Sequence, residues 1–585
     1  MEKIRQKLKK VQEKIYKKRE MFIFIGMLFL LTLFSCAPIL NPINIWAHDL
    51  SFHVNRIDGI VDGLKNGQFP AVINAKLING MGYGTGLFYP DLFLYIPAIL
   101  TIFGVQLLSA YKVFIVIITF ITYLIMYYTI KKIFGSRKMA IVGSILYTLS
   151  LYRIEDVFIR AALGEILSFT FFPLIILGLY ETIYGDRKKW YYITLGLFGI
   201  ANSHMISFLF AVCVILLIML LNCKKLYKEK QRFWELAFCG VISIWICASA
   251  FFPMFEQMNS EEYNVSVGST GLNLSDMSAV LTKTFENTLH TGQASDTNNK
   301  ISGTMNMGIG TILLIVPLCI VFCKNTDKNK KFVYQLLVVG FLAVIMTTKL
   351  FPWGFLQEYA KNIQFPWRIN MVATLALSIV SAYVIYNISE YKKELCILTS
   401  ILFIIFSGMQ LEKSTVYMED WTLDDLLEEL PLGSKEYIPV NFKYDKDVAN
   451  QITSQDGKKI YDYIREKNQI KFEYNSSNKN EEGKIKMPLI FYKGYTAKIK
   501  KDDGTIKKLN VVSSDNGTVL IENIDQEYGI IIVSYQTTII QVISRIITII
   551  VLIGIICYII YLKKQNILGR NEKINDKNIG NSIML

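Results

Sequence analysis

Residues 87–108 read LFYPDLFLYIPAILTIFGVQLL, and whether this stretch crosses a membrane decides the topology of the whole chain. It is apolar enough to cross, yet it holds Pro90, Asp91, Pro97 and Gly104. Proline interrupts a helix, and a carboxylate is costly in hydrocarbon. Twelve other apolar runs are candidate spans: 21–40, 111–130, 139–151, 165–184, 190–203, 205–221, 234–253, 307–323, 333–350, 371–388, 395–409 and 539–562. About twenty residues of helix cross roughly 30 Å of hydrocarbon. If 87–108 crosses as well, the basic loops 131–138 (KKIFGSRK), 186–189 (DRKK) and 224–232 (KKLYKEKQR) fall outside. If it lies along the outer surface, those loops face the cytoplasm together with 324–331 (KNTDKNKK), 391–393 (YKK) and 563–564 (KK). Short cytoplasmic loops are the ones enriched in Lys and Arg. Six agreeing loops outweigh one hydropathy peak, so the expected topology has twelve crossings, both termini inside and 87–108 at the outer surface.

Composition supports a multi-pass membrane protein. Of 585 residues 52% are hydrophobic, and the mean hydropathy is +0.35, too apolar for a soluble chain of this length. The formal charge of +14 sits in short loops and in residues 1–20, a basic amphipathic segment, which excludes a nucleic-acid patch. The apolar run 21–40 has no persuasive cleavage site after it and is expected to be the first transmembrane helix. All nine cysteines lie in or beside apolar runs and no CxxC occurs, so neither disulfides nor a zinc site is expected.

The expected fold is therefore an all-α polytopic bundle of about twelve transmembrane helices with a β-rich domain inserted before the last one. Residues 1–20 form a basic cytoplasmic segment. Residues 21–411 form the membrane domain, with outer loops 41–110 and 254–306. Residues 412–538 form an extracytoplasmic domain, 539–562 the last span and 563–585 a polar cytoplasmic tail expected to lack order. Within 412–538, an acidic amphipathic helix is expected at 420–429. Strands are expected at 470–474, 489–492, 496–501, 518–521 and 529–535, as a small β-sandwich.

The densest polar cluster is the first outer loop, where Asp49, His53 and Arg56 recur at helical spacing and place a carboxylate, an imidazole and a guanidinium on one face. His48 and Asp58 flank them. A solvated juxtamembrane helix with capping charges accounts for the same spacing. His48, Asp49 and His53 are also metal-ligand types but lack a third convincing partner, so no metal ligands are assigned, and a divalent metal stays open. A second cluster holds Arg153, Arg160 and Glu165. The two arginines suit a phosphate, while Glu165 also fits simple placement at a helix N-terminus. His204 lies between two spans, and Arg368 beside Trp367 at the outer boundary suits either a lipid phosphate or snorkelling. The glycine-rich stretch 80–86 (GMGYGTG) lacks the strand–turn–helix context of a nucleotide loop and reads as a turn that lets backbone approach a substrate or the membrane surface.

A cytoplasmic N-terminus, one crossing and an outer loop with an acidic residue before an interfacial helix resemble the GT-C superfamily of membrane glycosyltransferases. More narrowly, His48-Asp49, Phe52-His53, Arg56-Ile57, Phe88-Tyr89-Pro90-Asp91 and Arg160-Ala161-Ala162-Leu163-Gly164-Glu165 resemble bacterial YfhO-like proteins. So do Ser203-His204-Met205, Phe365-Pro366-Trp367-Arg368 and Glu436-Tyr437-Ile438-Pro439. Related membrane proteins carry a 6-pyruvoyl-tetrahydropterin synthase-related label, although nothing here resembles a soluble pterin enzyme. The resemblance implies transfer of a sugar from a polyprenyl-phosphate donor to a cell-envelope acceptor outside the membrane. It implies Asp49 or Asp58 as base, Arg56, Arg160 and Arg368 as phosphate partners, and Glu165, His53 and His204 as orienting groups. The competing readings are a transporter or flippase of lipid-linked saccharides, which needs charges near the membrane midplane, and a non-catalytic scaffold that binds cell-envelope polymer.

Overall fold

The computed structural model describes residues 2–41, 47–267, 273–289, 308–323, 329–388, 390–415, 422–428, 435–444, 451–454, 459–460, 462–466, 469–475, 483–525 and 528–583. The outer loop 254–306, the basic loop 324–331 and the acidic segment 420–429 therefore lie partly outside the described residues.

Among the described residues six helices are long and apolar enough to cross a membrane: Leu107–Phe134, Leu163–Tyr184, Lys330–Thr347, Pro366–Asn387, Lys392–Thr415 and Ile539–Gln565. A seventh is the pair Lys230–Ile246 and Ala248–Met258, bent by 62° at Cys247. The other expected spans are shorter or broken, so helix length supports six or seven of the twelve expected crossings. The helix Arg137–Thr148, for example, has 12 residues, or ~18 Å of rise. Leu163–Tyr184 and Pro366–Asn387 form the centre, buried over 89% and 94% of their apolar windows, whereas Ile539–Gln565 is buried over 17% and turns isoleucines outward. Small residues set the central packing. A Cβ on Gly143 would run into Ile130, and one on Gly340 would meet Leu377 at 2.5 Å. The final helix runs on to Ile583.

Residues 87–108 do not form a span-length helix. A short helical piece, Leu92–Ile102, covers ~16 Å, about half of the hydrocarbon thickness. Gly104, at φ +98°, then reverses the chain into Leu107–Phe134.

The β-rich domain is one antiparallel sheet of nine strands rather than the two-sheet sandwich expected. The strands are β1 (Ile452–Ser454), β2 (Lys459–Ile460), β3 (Tyr463–Glu466), β4 (Gln469–Asn475), β5 (Gly483–Ile490), β6 (Tyr495–Lys500), β7 (Ile506–Ser513), β8 (Thr518–Ile524) and β9 (Tyr528–Tyr535). Their order is β2-β1-β5-β8-β7-β6-β9-β4-β3. The sheet curls into a half-barrel around inward-facing Ile485, Met487, Ile499, Val519, Ile521 and Ile531.

The half-barrel sits on the loop that follows Leu50–Lys65, and the glycine-rich stretch is what receives it. A Cβ on Gly84 would lie 2.8 Å from the Tyr492 ring. Gly80 and Gly82 hold φ of +84° and +85°, which favour glycine. The Ile490 N–H donates to the Met81 carbonyl at 3.0 Å, and Arg465 Nη1 donates to the Gly80 carbonyl at 2.5 Å. Phe88 stacks on Tyr437 at 5.1 Å and Tyr263 on Tyr492 at 6.0 Å. The backbone approach made possible by these glycines is thus to the half-barrel.

Candidate active site

The surface helix Leu50–Lys65 begins immediately after Asp49, and two backbone bonds fix its start. His48 N–H donates to the Ile159 carbonyl at 3.2 Å, and Asp49 N–H donates to the Arg160 carbonyl at 2.8 Å. This pairing brings two clusters, more than a hundred residues apart in sequence, to one place. Directly after Arg160 the chain turns sharply, with Ala161 in the left-handed region at φ +49°, a strained setting for a residue with a Cβ. Glu165 follows one turn into Leu163–Tyr184.

Glu165 is the hub. Its carboxylate accepts from Arg160 Nη2 at 2.7 Å, Arg160 Nη1 at 3.1 Å and the Tyr152 hydroxyl at 2.9 Å, and it pairs with Arg368 Nε at 3.1 Å. Arg160 also pairs with Asp156 and lies 4.3 Å from the Trp367 ring centroid. Arg368 is held by the Gln364 amide oxygen at 2.8 Å and remains more open than Arg160, with side-chain exposures of 13% and 5%. Asp49 is half-buried beside this network. Burial pushes its carboxyl above the ordinary aspartate value, while the fields of Arg160, Arg368 and His48 act the other way.

Two histidines stand around the same centre. The His53 ring is buried, with the Leu163 N–H donating to Nε2 at 3.3 Å and Arg56 Nη1 3.2 Å from Nδ1. Burial, and then the charge of Arg56, keep the ring neutral. His204 caps Met205–Leu221 through Nδ1, which accepts from the Ser207 N–H. Burial pushes it down to about 3. Tyr89 packs between the histidines, 6.4 Å from His53 and 6.1 Å from His204, and its hydroxyl occupies the space that a Cβ on Gly164 would need.

Of the residues singled out in the sequence, Asp49, Arg160, Glu165, Arg368, His53 and His204 gather here, with His48 exposed at the edge. The remaining three make their main pairings outside this network, Arg56 at its border beside His53. Arg56 is committed to Asp91, with Nη2 at 2.5 Å and Nε at 3.0 Å, and sits 4.1 Å from the Tyr89 ring. Asp58 faces away and pairs with Lys76 at 2.7 Å. Arg153 points among the helices, donating to the Thr148 carbonyl and the Thr119 hydroxyl. Sequence reasoning assigned no role to Asp91, Tyr89, Tyr152, Asp156 or Trp367. For Asp91 the signal was present: an acid inside an apolar stretch needs a cation. Among the described residues no group of three or more His, Cys, Asp or Glu gathers to hold a metal ion.

A multi-pass helical membrane protein with a β half-barrel set over a buried carboxylate–guanidinium network is the class that fold and site define. The chain belongs to the family described as bacterial membrane protein YfhO, whose model matches residues 83–430. An uncharacterized protein of Lactococcus lactis subsp. cremoris (strain MG1363) is 24% identical over 265 residues. That match spans 43% of this chain and 42% of the relative, less than half of either. Among solved structures, the arabinofuranosyltransferase AftD from Mycobacteria overlaps 67% of this chain and 27% of its own, with 11% identity and a TM-score of 0.41. A likeness at that level carries no argument about activity.

Proposed function

We propose that this protein is a membrane glycosyltransferase that moves a sugar from a polyprenyl-phosphate carrier to a cell-envelope acceptor. The observation that carries the reading is the half-buried Asp49 carboxylate in the field of two guanidiniums, Arg160 and Arg368, that share Glu165. Asp49 takes the proton from the acceptor hydroxyl, whose oxygen attacks the anomeric carbon of the donor. The bond from that carbon to the phosphate oxygen breaks, and the lipid phosphate leaves with the electron pair. Arg368, the more open guanidinium, meets the leaving phosphate, while Arg160 holds Glu165 and backs it. His204, neutral and engaged through Nδ1, offers a hydrogen bond from its other nitrogen to an acceptor or donor hydroxyl without competing for the proton, while His53, with both nitrogens engaged, is a positioning group. Arg56 and Arg153 act as positioning groups.

The proposed topology places this network outside the cell, with twelve crossings, some of them short or broken, and both termini in the cytoplasm. It rests on the six basic loops. An Asp49→Asn variant, matched for expression and membrane insertion, tests the chemistry. Sugar transfer into the envelope is expected to fall by ~100-fold or more, the usual range for losing a positioned base. Transfer at the wild-type rate would remove Asp49 as base. Accumulation of lipid-linked saccharide on the inner leaflet of a deletion strain would instead favour a flippase.

A further inference from the structure

The half-barrel has an open mouth. Between its strands and the loop after the helix Leu50–Lys65 lies a shallow hollow, part of it open to solvent. Ile470 and Val533 form its floor, Tyr495 and Tyr535 its aromatic wall, and Gln68 and Arg465 its polar rim. Building on the glycosyltransferase reading, we infer that this mouth is a saccharide-binding groove. It grips the acceptor far from Asp49, which makes that acceptor an extended oligosaccharide or polymer rather than a single sugar.

The lining has the chemistry of sugar recognition: apolar surface for the C–H faces of a ring, with a few convergent polar groups for its hydroxyls. The two tyrosine rings meet edge to face at 5.5 Å, and Tyr535 is pinned by an amide hydrogen bond from Gln541 of the last helix at 2.8 Å. Such a platform is already rigid before a ligand arrives, so little rotamer freedom is lost on binding. Among the described residues Arg465 is the one formally charged group in the lining, which admits neutral or acidic sugars and disfavours cationic ones. Its guanidinium also donates to the carbonyls of Gly80 and Ala75, tying strand and loop into one rim.

Distance then sets the length of the ligand. Asp49 immediately precedes the helix Leu50–Lys65 and Gln68 lies just past its end, so the 16 residues between act as a ruler of ~24 Å. One sugar cannot touch both ends, but a chain of several units can. Binding energy from its remote units would hold the reacting hydroxyl at Asp49.

The test uses the full-length protein in lipid nanodiscs, titrated calorimetrically with length-fractionated glycan fragments released from the envelope of a bacterium that carries a YfhO protein. Long fragments are expected to bind more tightly than short ones. Gln68→Ala and Tyr495→Phe, which each delete a hydrogen-bonding group from the rim or wall, should weaken long-fragment binding about fivefold. The inference is overturned if no fragment binds, or if both groove variants, shown by thermal melting to be folded, bind at wild-type strength. Should the groove variants lose binding while Asp49→Asn keeps transferring sugar, the groove stands and the assignment of Asp49 as base falls.

Discussion

His204 shows how much one buried ring can set. Its value, near 6.5 when free, falls to about 3, first through burial and then through Arg368, Arg160 and Arg56, with Glu165 opposing. The folded state thus favours the neutral ring, so its contribution to stability is complete above about pH 6.5 and is lost as pH falls toward 3. The detergent-solubilised protein should therefore melt at progressively lower temperature through that window. His204→Asn, which can still cap the helix, should flatten the dependence in part, because His53 shifts in the same direction. An unchanged slope would dissociate His204 from it. Ala161 gives a second residue-scale expectation: with φ at +49°, Ala161→Gly should relieve the turn and raise stability by ~1 kcal/mol, read as a higher melting temperature. Asp49, Arg160 and Glu165 were legible as candidates because charges beside apolar runs are conspicuous. That Arg56 belongs to Asp91 was not, because their pairing depends on how 87–108 folds back over the surface helix.

At the scale of elements, the joint between half-barrel and the loop after Leu50–Lys65 reaches the candidate site. Phe88 stacks on Tyr437, and the next residue, Tyr89, lies against His53 and His204. Replacing Tyr492 with Ala removes a fully buried ring whose hydroxyl donates to the Tyr437 carbonyl at 2.9 Å, at a cost of ~3–5 kcal/mol. The expected result is faster proteolysis around Gly80 and Arg465, together with reduced sugar transfer, while the membrane helices stay intact. A variant with wild-type protease resistance would show that the joint does not depend on this ring. Strands β4, β6, β8 and β9 are legible from alternating Ile, Val and Tyr. Strand β7 escapes, since Ile506, Lys507, Lys508 and Asn510 are exposed and only its ladders to β6 and β8 define it. The single curled sheet is equally hidden, because strand order is set by pairing between distant segments.

For the whole molecule, topology is the property on which the reading turns. A cysteine placed at Ser136, in the basic loop after Leu107–Phe134, should resist a membrane-impermeant thiol reagent in intact cells and react once the membrane is opened. Labelling from outside would invert the proposed orientation and take Asp49 to the cytoplasmic side. Hydropathy and loop charge made the helical bundle legible, but they overstate the straight crossings, because composition does not register where a helix breaks: Arg137–Thr148 has 12 residues. The Arg465–Gly80 bond closes a long arc of the chain, joining residues 385 apart. A ribosome adding roughly 5–20 residues each second needs about 20–80 s to make that much chain. For that interval the newly made glycine-rich loop has no partner strand, so an early segment of the chain stays incomplete until the half-barrel has been made.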